Sequence, residues 1–276
     1  MALLLQPASR ESLAAAGERL DELVDRSSAE DLRGLGDDLF GVLGLLQGEP
    51  ALRRHLGDQA VPSAARSGLI ERLLAGKIGR NALDTVSGLA AARWSRSVDL
   101  VDVLEELARR ALLAVAEKDG SLDDVEDELF RFGRVLDREP RLNTLLGDVT
   151  VPAGKRVGLL RELLASKASP VTLGLLEHSV RASRGRNLDQ VAADLAELAA
   201  ERRHRYVAHV RTPVRLTAEQ EQRLADTLSR IYDRAISLQI ELDPDLLGGL
   251  VVRVGGELID GSVAGRLAAA RRRLPS

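Results

Sequence analysis

The side chains best suited to proton or metal chemistry are few and scattered. The four histidines, His55, His178, His204 and His209, have no neighbour at metal-ligand or catalytic spacing, so each reads as structural or exposed. Cysteine is absent, which excludes disulfides and thiolate metal sites and suits a reducing compartment. The acidic pairs Asp37-Asp38 and Asp123-Asp124 fall on the polar faces of amphipathic segments, where carboxylates are solvated by default. No glycine-rich run ends in Gly-Lys-Ser or Gly-Lys-Thr. Val254-Gly255-Gly256-Glu257 sets an acid where a phosphate would need donors, so nucleotide binding is not expected. These residues form no catalytic constellation, and the expectation is a chain that is not an enzyme, with no cofactor and no metal.

Two stretches could instead hold a partner. Arg93-Trp94-Ser95-Arg96 places the single tryptophan on a loop, where it either anchors a partner or, the more natural role, covers the end of its own helices. Arg202-Arg203-His204-Arg205 closes an amphipathic helix, where cations sit well against the negative helix end. That cluster reads as a solvated last turn before it reads as a nucleic-acid contact. The whole chain carries a formal charge of −3, and a general polyanion binder needs an excess of Lys and Arg.

The elements that position these residues are mostly helical. At 276 residues, with 45% hydrophobic and only 2% aromatic residues, the chain has room for two or three domains with aliphatic cores, which suits helices packed on helices. No run approaches the roughly 20 apolar residues of a bilayer span. The Ala2 to Leu5 run lacks the basic flank and length of a signal peptide, so membrane association is expected only through partners.

The helical part repeats itself. Leu39 to Val86 aligns on Leu129 to Leu176 at a constant offset of 90 residues: Glu49-Pro50 on Glu139-Pro140, Leu56-Gly57-Asp58 on Leu146-Gly147-Asp148, Val61-Pro62 on Val151-Pro152. Each copy predicts five or six short helices. Leu32, Leu35, Leu39, Val42 and Leu46 form one buried stripe, and Leu122, Val125, Leu129, Phe132 and Leu136 repeat it. Pro50 and Pro140 start short helices that Gly57 and Gly147 end, and Pro62 and Pro152 open the next, which bury Leu69, Ile70, Leu73 and Leu74 or Leu159, Leu160, Leu163 and Leu164. Asp99 to Lys118 has neither Pro nor Gly and predicts one helix about 30 Å long coupling the copies. The last helix, from Leu188, buries Val191, Leu195 and Leu198.

From Tyr206 the period becomes two. The pattern predicts a strand to about Pro213, a helix opened by the capping box Thr217 to Gln220 that buries Leu224, Leu228 and Ile231, and a half-buried strand carrying Leu238, Ile240 and Leu242. Asp243-Pro244 and the turn glycines Gly248 and Gly249 follow. Val251, Val252 and Val254 then pair across Gly255 and Gly256 in a hairpin, and after Gly261 a helix carries Val263, Leu267 and Ala270 on one face. The predicted fold is mainly α with a small α/β C-terminal domain: two tandem bundles at 1–108 and 109–206, then a strand-helix-strand-hairpin-helix domain at 207–276.

The residues Asp243-Pro244, Gly248-Gly249, Arg253-Val254-Gly255, Ile259-Asp260-Gly261-Ser262 and the Arg266 to Arg273 tail resemble the C-terminal signature of the delta subunit of F-type ATP synthases, the counterpart of the mitochondrial oligomycin-sensitivity-conferring protein. One departure is Gly256, where that family more often has a polar residue. The resemblance covers about Arg109 to Leu274 as one family unit, and the upstream residues are similar to the additional bundle of long actinobacterial delta subunits. It implies a stator role on the cytoplasmic face of the cell membrane, one copy per complex, with no nucleic acid bound. A helical bundle would receive an N-terminal helix of an alpha subunit, and the α/β domain would hold the C-terminal region of a membrane-anchored b subunit, expected as a separate chain. The second copy is the expected alpha site, with Leu112, Leu113, Leu173, Leu176 and Val180 as its groove. Leu246, Leu247, Val251, Val263 and Leu267 are the b candidates. The competing readings are a helical scaffold of another complex and a nucleic-acid-binding regulator using Arg202 to Arg205 and Arg271 to Arg273.

Overall fold

The computed structural model describes residues 5–165, 167–183, 185–204, 207–232, 236–244, 246, 248–254 and 257–263, without the side chains of His204, Val207 and Ser237. They divide into two compact units, Met1–Ala199 and Ala200–Ser276. The first is all helix: α1 (Pro7–Arg26), α2 (Ala29–Gly48), α3 (Pro50–Gly57), α4 (Ser63–Leu74), α5 (Arg80–Ala91), α6 (Ser97–Lys118), α7 (Leu122–Arg138), α8 (Pro140–Gly147), α9 (Ala153–Leu164) and α10 (Pro170–Arg181), with α11 (Leu188–His204) running past its end. Shifting α1 through α5 by 90 positions lands on α6 through α10. Helix α6 therefore serves twice, as the sixth helix of the first repeat and the first helix of the second, and position 108 lies inside it.

The punctuation explains the boundaries. Pro50 and Pro140 occupy the first turns of α3 and α8, where a missing N–H costs nothing. Ser169 accepts a hydrogen bond from the Thr172 N–H at the start of α10. Ser28 and Asp31 make a reciprocal capping box at the start of α2. Both predicted stripes are buried, from Leu32 to Leu46 and from Leu122 to Leu136, in one aliphatic core. The stripes on α4 and α9 are narrower than expected. Leu73 and Leu163 each remain 37% exposed, because each of these helices buries only one face.

Helix α6 is continuous over 22 residues, and Val103, Leu104, Leu107, Ala108, Ala111 and Leu113 to Ala116 lie fully buried. The most extensive helix pairing of the first unit is α2 on α6. Amide exchange at Leu104 to Leu113 is therefore expected to be among the slowest in the chain, as global unfolding must precede it. Fast opening there in a hydrogen-exchange experiment would contradict a rigid coupler.

In the second unit, β1 (Val207–Thr212), α12 (Ala218–Ile231), β2 (Ser237–Leu242), β3 (Val251–Val254) and β4 (Glu257–Asp260) form a four-stranded sheet in the order β2-β1-β3-β4. β1 and β2 are parallel, as a helical crossover requires, with Ala208 opposite Leu238. β3 pairs antiparallel with β1 and with β4, Val252 facing Val210 and Ile259. Thr217 and Gln220 form the capping box of α12. Leu228 packs with Ala208, Val210, Ile236, Val252 and Val254, and Leu224 lies against them. Ile231 is 63% exposed and Leu242 51%, against expectation, because each ends its element beyond the reach of this small core. The terminal helix beyond Val263 and the turn residues Gly255 and Gly256 lie outside the described residues.

No helix among the described residues is long and apolar enough to cross a membrane.

Candidate functional site

Several of the residues weighed for chemistry or partner contact serve the fold. Trp94 is buried, and its Nε1–H donates to the Leu89 carbonyl at 2.8 Å, so the indole covers the end of its own bundle and is not free to anchor a partner. Asp38 Oδ2 accepts the Gly79 N–H at 2.7 Å before α5. At the equivalent place in the second repeat, Glu128 accepts the Ser169 N–H at 3.0 and 2.9 Å and the Thr172 hydroxyl. A carboxylate on the second helix of each repeat thus tethers the N-terminus of the fifth, where the helix field favours an anion. Asp38 is consequently not a merely solvated charge. Arg202 is buried and Arg203 half-buried, so these two do not form a solvated basic turn; Arg205 lies outside the described residues. His55 and His209 are exposed. Among the described residues no three His, Asp or Glu side chains are grouped to hold a metal ion.

His178 was expected to be isolated, yet it joins the two repeats. Its ring stacks on Phe40 of α2, with centroids 4.0 Å apart and an interplanar angle of 5°, and its Nε2 lies 3.2 Å from Asp37 Oδ1. Asp37 lies 141 positions away along the chain, beyond the reach of any spacing rule. Burial pushes the imidazole below its ordinary value, and the Asp37 contact only partly restores it; Arg181 adds to the lowering, and Glu177 opposes it. A group held neutral by folding adds stability above its unfolded pKa and loses it as the pH falls toward the folded value. Unfolding midpoints in urea are therefore expected to drop as the pH falls below about 6.5, and His178→Phe, which keeps the stack, to flatten that slope. An unchanged slope in the variant would remove His178 from the account.

The groove candidates of the second repeat sit on α6 and α10. Leu112, Leu113, Leu176 and Val180 are buried in the helical core and Leu173 is half-buried against it. Helix α2 lies against both walls. Gly36 faces α6 so closely that a Cβ there would stand 2.5 Å from Leu112 Cδ2 and 3.6 Å from the Ala108 carbonyl, while Asp37 and Phe40 meet His178 on α10. Glu105, also on α6, pairs with Arg109 at 2.5 Å and with Arg186. Burial depresses the Arg109 guanidinium from its ordinary value, and Glu105 holds it up.

Among the described residues, the same place in the first repeat is open. Helices α1 and α5 flank a groove of about 650 Å³ whose floor is Ala15, Ala16, Leu20, Leu23, Gly88 and Leu89. Its charged rim carries Glu11, Glu22 and Asp84 together with Arg19, Arg26 and Arg93.

In the second unit, Gly248 and Gly249 take φ values of 143° and 81°, a region that side chains disfavour. The loop they form is tied to the chain after β4: the Gly261 N–H donates to the Leu250 carbonyl and the Val263 N–H to that of Gly248, both at 3.0 Å. Of the b candidates, Val251 is buried in the sheet core, Leu246 is half-buried and Val263 is 42% exposed. Leu247 and Leu267 lie outside the described residues. Leu258 and Ile259 on β4 are exposed, which the sequence reading did not single out; a four-residue strand with no clean alternation gives no signal of it.

Sequence reasoning also missed Arg66 and Arg156. Both are buried cations spaced by the repeat offset, and each gathers backbone carbonyls from the ends of two helices. The signal was present: an arginine four residues after a proline in both copies.

Comparison with known proteins gives the arrangement its family. The profile described as ATP synthase delta (OSCP) subunit matches residues 109–274. The chain is 47% identical over 270 residues to an ATP synthase subunit delta of Streptomyces griseus subsp. griseus, covering 98% of this chain and 99% of that one. It is 46% identical over 269 residues to the subunit delta of Streptomyces coelicolor, covering 98% of each. It is also 45% identical over 271 residues to an ATP synthase subunit b-delta of Mycobacterium sp. (strain KMS), where it covers 98% of itself and spans 61% of that longer relative. With the profile matched across the second repeat and the sheet unit, and with relatives aligned almost end to end, the chain belongs to the ATP synthase delta (OSCP) subunit family.

Proposed function

We propose that the chain is the delta-type subunit of an F-type ATP synthase peripheral stalk, a non-catalytic strut that keeps the catalytic head from turning with the rotor. The observation that carries this reading is the near end-to-end match to proteins named ATP synthase subunit delta. The physical form supports it. Two aliphatic bundles share one uninterrupted helix, which transmits force without a flexible joint, and Asp38 tethers the start of a helix while His178 and Asp37 join the repeats.

On this reading a helical groove receives the N-terminal helix of an alpha subunit, and the sheet unit holds the C-terminal region of b. The name b-delta of the Mycobacterium relative supports b as the neighbour. The exposed apolar side chains Val263, Leu258 and Ile259 are available to it, and half-buried Leu246 is a further candidate. Contact with the membrane is then made through b, on its cytoplasmic side, with one copy of this chain in each complex.

The test is to pull the tagged chain from cell membranes. Alpha and b are expected to come with it in a ratio that high salt does not disturb. An unrelated set of proteins would favour a scaffold of another assembly, and steeply salt-dependent nucleic acid would favour the regulator reading.

A further inference from the structure

His178 belongs to the joint between the repeats and not to the bundle itself. Shifted back by 90 positions, the same place on α5 is Gly88, so a repeat of this design closes without an imidazole there. The ring's neighbours come from α2 of the other repeat: Phe40 stacks on it face to face, and Asp37 Oδ1 stands 3.2 Å from Nε2. Nearby the joint is apolar and close, with Gly36 seated on Leu112 and Ala108 of α6. Helix α10 is held by α6, α7 and α9, and its packing onto α2 is slight beside these. The stack is therefore a thin clasp at the edge of a core that other contacts hold.

We infer that the Phe40–His178–Asp37 clasp is a proton-operated latch, closed at neutral pH and released in acid, so that α10 comes off α2 while each repeat stays folded about the shared α6. The physical reason is desolvation. The imidazole side chain is only 23% exposed and its face lies against Phe40, so a proton placed on it puts a charge where water reaches poorly. Opening the clasp returns the ring to water, and the protonated form therefore favours the open joint.

The charged groups around the ring set the balance. Asp37 of α2 and Glu177 of α10 favour the cation, and Arg181 of α10 opposes it. Arg161 of α9 engages Glu177 at 2.5 and 2.7 Å, which leaves that carboxylate largely committed elsewhere. Asp38, next along α2, is turned to the Gly79 N–H, and among the described residues α6 adds no charged group to this set. Burial outweighs the acids and holds the imidazole below its ordinary value. A leucine or phenylalanine at this place would seal the contact at every pH. Histidine makes it conditional, in the range where no other unperturbed side chain changes its charge. The latch stands apart from the stator reading; only its consequence rests on that reading, since a strut whose repeats unclasp in acid transmits less torque.

The experiment reads the joint in the full-length chain, whose lack of cysteine leaves introduced ones as the only labelling sites. Nitroxides at Arg33→Cys on α2 and Glu162→Cys on α9, both exposed, report the separation of the two sides by pulsed electron-spin resonance. The parent is expected to give one narrow distance at about pH 7.5 and a growing, longer and broader component toward about pH 5.5, reversibly and with unchanged far-UV circular dichroism. The opening equilibrium is expected to shift by up to about tenfold, all that one group with an ordinary pKa of about 6.5 supplies one unit below it. His178→Phe keeps the stack without the proton and is expected to stay narrow throughout. Asp37→Asn removes the carboxylate that tolerates the cation, so its joint is expected to open at a higher pH than the parent's. A distance in the parent that ignores pH would overturn the latch. So would one that narrows in acid, which would mean that Phe40 and Asp37 hold the cation better than water does. Broadening that persists in His178→Phe would move the effect to another group and equally end the proposal. Helical signal lost together with the broadening would mark global unfolding rather than release of a clasp, and would overturn it as well.

Discussion

Arg66→Met is expected to lower the stability of the helical unit by about 3 kcal/mol, a loss far beyond that of an ordinary surface substitution. The Arg66 Nη1 donates to the carbonyls of Leu56 and Ala92 at 3.0 and 2.8 Å, Nη2 to Ala91 at 3.2 Å and Nε to Val61 at 3.2 Å. These oxygens stand at or just beyond the C-terminal ends of α3 and α5 and at the turn before α4. Helix ends leave carbonyls without internal partners and carry partial negative charge, so a buried cation satisfies both demands at once. Methionine keeps the aliphatic stem and removes the guanidinium, stranding carbonyls in a site from which water is largely excluded. Lysine is expected to recover little, because a single ammonium cannot reproduce the planar fork.

Arg156 does the same in the second repeat, donating to Val151 through Nε at 3.1 Å and to Leu146 and Val180 through Nη1 at 3.0 and 2.7 Å. The two share no partner, so the losses of Arg66→Met and Arg156→Met are expected to add in the double variant to within about 0.5 kcal/mol. Urea unfolding followed by far-UV circular dichroism measures all three. Trp94 emission follows the first repeat alone, since its indole hydrogen-bonds next to the Arg66 knot. A single variant as stable as the parent would show that the carbonyls find other partners.

The second large effect is expected at Gly249. Its φ of 81° already disfavours any side chain, and a Cβ there would stand 2.4 Å from the Gly261 carbonyl oxygen and 2.9 Å from the Ser262 Cα, both backbone neighbours that cannot swing away. Gly249→Ala therefore has to separate the loop from the segment after β4, breaking the Gly261-to-Leu250 and Val263-to-Gly248 hydrogen bonds. The cost is expected to be about 2–4 kcal/mol, confined to the sheet unit. Amide exchange at Val251 to Val254 is expected to accelerate while α2 and α6 are unaffected. Gly41→Ala is the contrasting control. That glycine lies within α2 with nothing within 4 Å of an added Cβ, and the change is expected to stabilise by about 0.5–1 kcal/mol through helix propensity. Equal behaviour of the two variants would show that the Gly249 contacts carry no strain.

What the sequence made legible follows from the range of the forces involved. Helix boundaries, both apolar stripes, the shared central helix and the hairpin pairing were readable because periodicity, proline placement and capping act within a few residues. The 90-residue repeat extended that reach, since each copy checks the other. The Asp38 and Glu128 tethers, the His178–Phe40 stack and the two arginine knots join residues that only the packed helices bring together, and single-residue spacing gives no hint of them. The same limit applied to the groove. Leu112 and Val180 have the apolar character and spacing of a docking wall, and nothing local says that α2 already lies across that wall. Exposure at Ile231 and Leu242 was misread for a related reason: a small sheet core runs out before the periodic pattern does.

The most direct test of the central claim, a brace without a reaction of its own, is proton-driven ATP synthesis in inverted membrane vesicles stripped of this chain and then given it back. Synthesis is expected to vanish on removal while the released head still hydrolyses ATP, and to return with the parent chain. Undiminished synthesis in the stripped vesicles, with the head still firmly bound, would contradict it.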